Sequence, residues 1–168
     1  MRPLSLPSRH PRSFADYCGK RAAAALPCPG GTHKNVSLAV MVSIDQCVVC
    51  PSGTYCSVGS AVSTPCAPGT YGATAGSESC ALCAAGSFQN LKGQTTCKPC
   101  PSGRYCPEGS SAALPCFAGT YSSALSLQSA DNCTVCPIGS ACSTGATNHT
   151  PCSPGNYADA PGMTDCTR

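Results

Sequence analysis

The sequence has no Trp and few aliphatic side chains, with Leu, Ile, Val and Phe together supplying only 22 of its 168 residues. A globular domain of this length normally buries a much richer apolar core, so burial alone cannot hold this chain. Charged residues are also scarce, at 10%, so the chain does not have the composition of a highly charged disordered segment. The net charge of +3 is uneven: Arg2, Arg9, Arg12, Lys20 and Arg21 lie near the start, and the remainder is nearly neutral. It has no basic stripe of the kind that tracks nucleic-acid phosphates, so no nucleic-acid partner is expected. No run approaches the roughly 20 apolar residues of a membrane-spanning helix, so this segment is not expected to insert directly. The stretch before Leu26 has no continuous apolar region of signal-peptide type, which is the pattern of a fragment or of a start lying upstream.

Catalytic groupings are missing too. His10, His33 and His149 are scattered, and the seven carboxylates never fall into a pair suited to acid–base work. No nucleotide motif occurs. The sequence therefore predicts no enzyme, no cofactor and no resident metal.

Cysteine, by contrast, is abundant. Seventeen Cys in 168 residues, with 16 Pro and 17 Gly, predict a disulfide scaffold with little helix, given an oxidising compartment. The cysteines repeat. Cys-x-x-Gly occurs eight times, opening at Cys28, Cys50, Cys66, Cys83, Cys100, Cys116, Cys136 and Cys152. In six copies an aromatic follows the Gly by two positions: Tyr55, Tyr71, Phe88, Tyr105, Tyr121 and Tyr157. Pro and Gly after the opening Cys predict a tight turn, then a short extended piece carrying the ring. The ring is expected to lie over the nearby disulfide as a miniature core.

Above this runs a longer period. Cys47, Cys50, Cys56, Cys66 and Cys80 share their first three spacings with Cys97–Cys133 and Cys133–Cys166. A fixed period in a core-poor chain predicts small units stacked end to end. The expected divisions are 1–27, a disordered leader; 28–47, an atypical first cysteine module; 47–80, repeat 1; 80–97, a short insert; 97–133, repeat 2; and 133–168, repeat 3. Val36–Ile44 (VSLAVMVSI) is the one apolar run, and its β-branched residues predict a strand in a hairpin of the first module.

Eight further cysteines, Cys47, Cys56, Cys80, Cys97, Cys106, Cys133, Cys142 and Cys166, alternate strictly with the openers and can be called closers. Joining each opener to the next closer gives 28–47, 50–56, 66–80, 83–97, 100–106, 116–133, 136–142 and 152–166, and leaves Cys18 over. An interlaced scheme such as 47–56 with 50–66 ranks second, because it strands Cys80 and Cys166; parity alone does not fix connectivity. The four Cys-x2-Cys pairs admit an intracellular zinc module as an alternative. That reading leaves eight equally regular cysteines unexplained. A thioredoxin-like site would need a βαβ setting that is missing here.

Asn35-Val-Ser37, Asn132-Cys-Thr134 and Asn148-His-Thr150 are glycosylation sequons and favour the secretory reading. His149 is expected to sit exposed in its sequon loop.

Cys47-Val-Val-Cys50-Pro-Ser-Gly-Thr-Tyr-Cys56, Cys66-Ala-Pro-Gly-Thr-Tyr71, Cys97-Lys-Pro-Cys100-Pro-Ser-Gly-Arg-Tyr-Cys106 and Cys133-Thr-Val-Cys136-Pro-Ile-Gly resemble the ephrin-receptor-like cysteine-rich repeat, within the growth factor receptor cysteine-rich group. The Cys-x-x-Gly-x-Tyr unit also looks like the opening module of tumour necrosis factor receptor repeats. The resemblance covers Cys47 to Cys166. It implies an extracellular or cell-surface segment of a secreted or membrane-anchored protein, serving as spacer, adhesion module or contact surface for a protein or glycan ligand. A secreted inhibitor or surface antigen on the same scaffold is a further alternative. Two departures stand out. Ser140-Ala-Cys142 lacks the aromatic, so the third repeat is expected to pack less well, and the first module matches only at Cys28-Pro-Gly-Gly. The fold class expected is small and disulfide-rich: an elongated tandem array of short hairpin and loop modules, with little helix and no central hydrophobic core.

Overall fold

The computed structural model describes residues 26–168 together with Asp16–Tyr17. Its elements are two-residue strands paired as antiparallel hairpins, and the only helical elements among the described residues are two single 3-10 turns. Each hairpin from Cys28 on starts after a Cys-x-x-Gly turn, and every hairpin ends just before the next opener. The pairs are β1 (Asp16–Tyr17) with β2 (Leu26–Pro27), β3 (Thr32–His33) with β4 (Val48–Val49), β5 (Thr54–Tyr55) with β6 (Thr64–Pro65), and β7 (Thr70–Tyr71) with β8 (Ala81–Leu82). They continue as β9 (Ser87–Phe88) with β10 (Lys98–Pro99), β11 (Arg104–Tyr105) with β12 (Leu114–Pro115), β13 (Thr120–Tyr121) with β14 (Thr134–Val135), and β15 (Ser140–Ala141) with β16 (Thr150–Pro151). A last pairing, Tyr157 with Thr167, closes the unit opened by Cys152.

Each turn places Gly at its third position, with φ between 70° and 86° at all eight openers' glycines. Only Gly adopts this left-handed backbone at no steric cost. The residue after the Gly closes the turn: Thr32 N donates to Pro29 O at 3.1 Å, and Thr32 Oγ1 donates to the same carbonyl at 2.7 Å. Thr54, Thr70, Ser87 and Thr120 repeat this double clasp.

The units are joined by main-chain hydrogen bonds. At every step the opener amide donates to the preceding unit's turn Gly, as from Cys66 to Gly53 at 2.9 Å. That Gly's own amide donates forward to the residue after the next ring, as from Gly53 to Gly72 at 2.8 Å. The opener carbonyl accepts from a loop residue of the next unit, as Cys66 O does from Gly93 N at 2.8 Å. The amide after the ring donates to the neighbour of that loop residue, as from Gly72 to Gln94 O at 3.0 Å. These four bonds recur at seven successive junctions from Cys28 to Cys152. Second neighbours also meet: a Cβ on Gly31 would overlap the carbonyl of Gly76, and one on Gly53 that of Gly93. The stack is therefore one-dimensional, held by contacts between a unit and the next two.

The buried set is mostly cystine. All openers except Cys152 are buried, together with the closers Cys56, Cys106 and Cys142, and Met41 and Ala158 are the other buried apolar residues. The aromatics Tyr55, Tyr71, Phe88, Tyr105 and Tyr121 are half-buried, and Tyr157 is 53% exposed. Among the described residues there is no central hydrophobic core, in keeping with a chain of only 22 Leu, Ile, Val and Phe residues.

Two expectations need correction. Val36–Ile44 forms no strand. The Asn35 side chain accepts from Ser37 N, and Gln46 Oε1 accepts from Val42 N and Ser43 N, so side chains fold the run into turns capped by the 3-10 turn Ile44–Gln46. Met41 is buried while Val36, Val40 and Val42 face solvent. Residues 1–15 and 18–25 of the expected leader lie outside the described residues. The β1–β2 pair nevertheless has the register of the 50–65 unit, with Tyr17 opposite Leu26 as Tyr55 is opposite Thr64. The Cys18-x9-Cys28 spacing also equals Cys56-x9-Cys66, so the hairpin period begins before Cys28.

Candidate interaction surface and its disulfide frame

The eight disulfides join Cys28–Cys47, Cys50–Cys56, Cys66–Cys80, Cys83–Cys97, Cys100–Cys106, Cys116–Cys133, Cys136–Cys142 and Cys152–Cys166. Cys18 lies outside the described residues. Two bridge geometries share one backbone plan. In the long-loop units the closer lies just before the second strand, as Cys80 precedes β8. In the short-loop units it follows the first strand, as Cys56 follows β5. Each Cys-x2-Cys pair is thus split between two neighbouring bridges: Cys80 bonds Cys66, and Cys83 bonds Cys97. Thiolates tied up in bridges cannot ligate zinc in this state.

A row of apolar residues runs along the stack, one position before each opener: Pro27, Val49, Pro65, Leu82, Pro99, Pro115, Val135 and Pro151. All are exposed except Pro115, which is half-buried. Six of them, Pro27, Val49, Pro65, Leu82, Pro115 and Val135, stand beside a left-handed glycine two units further on. A Cβ built on Gly76 would touch Val49 Cγ1, and one on Gly145 would touch Pro115 Cβ. Sequence reasoning missed this row, although the signal was present: the residue before every Cys-x-x-Gly is apolar. A periodic apolar stripe on a covalently fixed frame can contact a partner without rearranging.

The three sequons sit at turns. Asn132 and Asn148 are exposed, and Asn35 is half-buried. Asn132 Oδ1 accepts from Ser129 N in a capping box over the 3-10 turn Ala130–Asn132, while its Nδ2 makes no bond within the chain. Asn148 Oδ1 accepts from His149 N.

His149 is half-buried, not exposed as the sequon position suggests. Its ring packs edge-on against Tyr121 with centroids 5.4 Å apart, and Nδ1 shares a hydrogen bond with the buried Ser140 hydroxyl at 3.1 Å. This ring stands beside the strand where Ala141 replaces the usual aromatic. It supplies an aromatic that Ser140-Ala141 lacks. His33 Nδ1 bonds the Lys34 carbonyl, and His10 lies outside the described residues. Among the described residues, no group of His, Cys, Asp and Glu is placed to hold a metal ion, and no helix is long and apolar enough to cross a membrane.

Residues 69–113, or 45 of the 168, match the family model described as tyrosine-protein kinase ephrin type A/B receptor-like. No curated protein matches the chain. The matched segment runs from the Gly69 turn into the loop after Cys106 and so contains the long-loop bridge Cys83–Cys97 and the short-loop bridge Cys100–Cys106. Over those residues the disulfide-bridged hairpin array is similar to the ephrin-receptor-like cysteine-rich repeat.

Proposed function

We propose that the chain is a non-catalytic extracellular segment of a secreted or membrane-anchored protein, serving as a spacer and contact surface for a protein or glycan partner. The observation that carries this reading is that all sixteen described cysteines are bridged within a stack joined by repeated main-chain bonds. Such a frame is stable only where thiols are oxidised. It presents the Pro27-to-Pro151 row and three turn-borne sequons outward. On this reading Asn35, Asn132 and Asn148 carry glycans. The five-cysteine groups 47–80, 97–133 and 133–168 act as successive repeats, with 28–47 and 80–97 as shorter modules between and before them.

The test is secretion of the full chain from an animal cell line behind a supplied signal peptide, followed by non-reducing peptide mapping. The reading expects eight bridges in series, each joining an opener to the next closer, and glycan at one or more sequons. Retention of the chain with mostly free thiols, or zinc copurifying at two or more ions per chain, would overturn it.

A further inference from the structure

The eight bridges divide by access. In Cys50–Cys56, Cys100–Cys106 and Cys136–Cys142 both cysteines are exposed by 1% or less. In the other five bridges the closer, Cys47, Cys80, Cys97, Cys133 or Cys166, is part-exposed. The cause is position in the ladder. A short-loop closer sits directly after the first strand, where both its main-chain groups are used at a junction: Cys56 N donates to Ser77 O at 3.0 Å, and Cys56 O accepts from Gly31 N at 2.8 Å. The next unit covers it. A long-loop closer sits just before the second strand, outside the junction ladder, and stays part-exposed.

Resting on the disulfide reading above, we propose that the five long-loop closers are thiol-exchange sites for an external dithiol, and that the three short-loop bridges are protected from it. Exchange requires in-line approach of a thiolate to one bridge sulfur. At the Cys66–Cys80 bridge the dithiol's first thiolate attacks Cys80 Sγ. The Cys80–Cys66 bond breaks, and Cys66 leaves as a thiolate and takes a proton from solvent. The dithiol's second thiolate then attacks its own partner sulfur in the mixed disulfide, releasing Cys80 as a thiolate that is protonated in turn. Two electrons pass to the bridge, and the dithiol ends as its own disulfide. At every long-loop bridge but Cys152–Cys166 the opener thiolate is expelled into a buried position, where charge is disfavoured, so re-closure competes with the second step. The accessible set includes the bridges that close both hairpins of the 66–99 stretch, so this stretch loses its staples first while each short-loop unit keeps its own.

Free thiols of the full oxidised chain are first blocked with one alkylating reagent, which records Cys18 and any bridge that never formed. Limiting dithiothreitol is then added, new thiols are trapped with a second reagent, and peptides are quantified over time. The long-loop cysteines are expected to label faster than the short-loop ones by about tenfold or more, since only long-loop bridges carry an exposed sulfur to attack. Equal rates for the two groups, or faster opening of 50–56, 100–106 or 136–142, would overturn the proposal. A second measurement fixes the attacked sulfur. Thioredoxin with its resolving cysteine replaced by serine should be trapped on Cys80, Cys97 or another long-loop closer; trapping on the seven buried openers or on Cys56, Cys106 or Cys142 would overturn it. Extensive first-reagent labelling before any reductant is added would instead defeat the underlying disulfide reading.

Discussion

The amide of Ser126 donates to the carbonyl of Cys100 at 2.8 Å with Ser126 in the left-handed region, at φ 59°. It is the only non-glycine described residue with positive φ. Its counterparts at the other six junctions are Gly59, Gly76, Gly93, Gly109, Gly145 and Gly162, which donate to Cys28, Cys50, Cys66, Cys83, Cys116 and Cys136. A side chain in this conformation costs roughly 1–2 kcal/mol, part of which returns as lower unfolded-state entropy. Ser126→Gly is therefore expected to stabilise the oxidised protein by about 0.5–1 kcal/mol, read from denaturant unfolding without reductant.

Gly53 and Gly139 share their turn and their positive φ but differ in surroundings. A methyl on Gly53 would overlap the Gly93 carbonyl, whereas nothing lies within 4 Å of one on Gly139. Gly139→Ala should cost only the conformational term, about 1 kcal/mol, and Gly53→Ala about 3 kcal/mol or more, because main chain must move as well. Comparing the two unfolding midpoints isolates the second-neighbour contact. Equal losses would show that this contact carries no energy.

The Tyr121–His149 packing predicts that His149→Ala destabilises the C-terminal units by about 1 kcal/mol, within the range of aromatic pairs. Hydrogen exchange localises the effect. Faster exchange at the Cys142 and Ala146 amides, with no change at Gly53 or Gly69, is the expected pattern, since energy in a linear stack is local.

How much of this was legible can be judged at particular residues. The turn glycines announce themselves, because Cys-x-x-Gly fixes their place, and so the hairpin period and fold class could be read directly. The junctions were not legible. Their four bonds use main-chain groups of residues as different as Gly72, Gln89 and Cys106, which share no side-chain chemistry. Val36–Ile44 was misread because β-branched content signals a strand only where a partner strand is available. Here Asn35 and Gln46 turn the chain instead. The start of the period was hidden because Arg12 stands where an opener would fall, five residues before Tyr17.

Sequon use should follow local chemistry. Asn132 is bonded to Ser129 through a capping box and is followed by Cys133, which bridges to Cys116. Once that unit closes, the site is fixed in a folded turn. Glycopeptide mass spectrometry is expected to find lower occupancy at Asn132 than at Asn148, and Cys116→Ser should raise occupancy at Asn132 by delaying closure.

Metal removal and reduction should separate cleanly. A chelator is expected to leave the unfolding midpoint of the full chain unchanged, while full reduction abolishes the cooperative transition, since each bridge in a small domain contributes about 2–5 kcal/mol. A chelator-induced loss of the transition would contradict the bridged state.

The spacing of the bridges also sets how the molecule behaves when it is pulled from its ends. Tension takes the shortest covalent route, through each bridge and across the chain between bridges. Most links between bridges are the two-residue Cys-x2-Cys gaps, which have almost no slack. Only the nine-residue gaps Cys56–Cys66, Cys106–Cys116 and Cys142–Cys152 can pay out length, each to about 35 Å when drawn straight. The hairpins β5–β6, β11–β12 and β15–β16 hold that length in reserve. A tethered chain of this design would yield in three short, similar steps and then stop, acting as a tether with a fixed maximum reach.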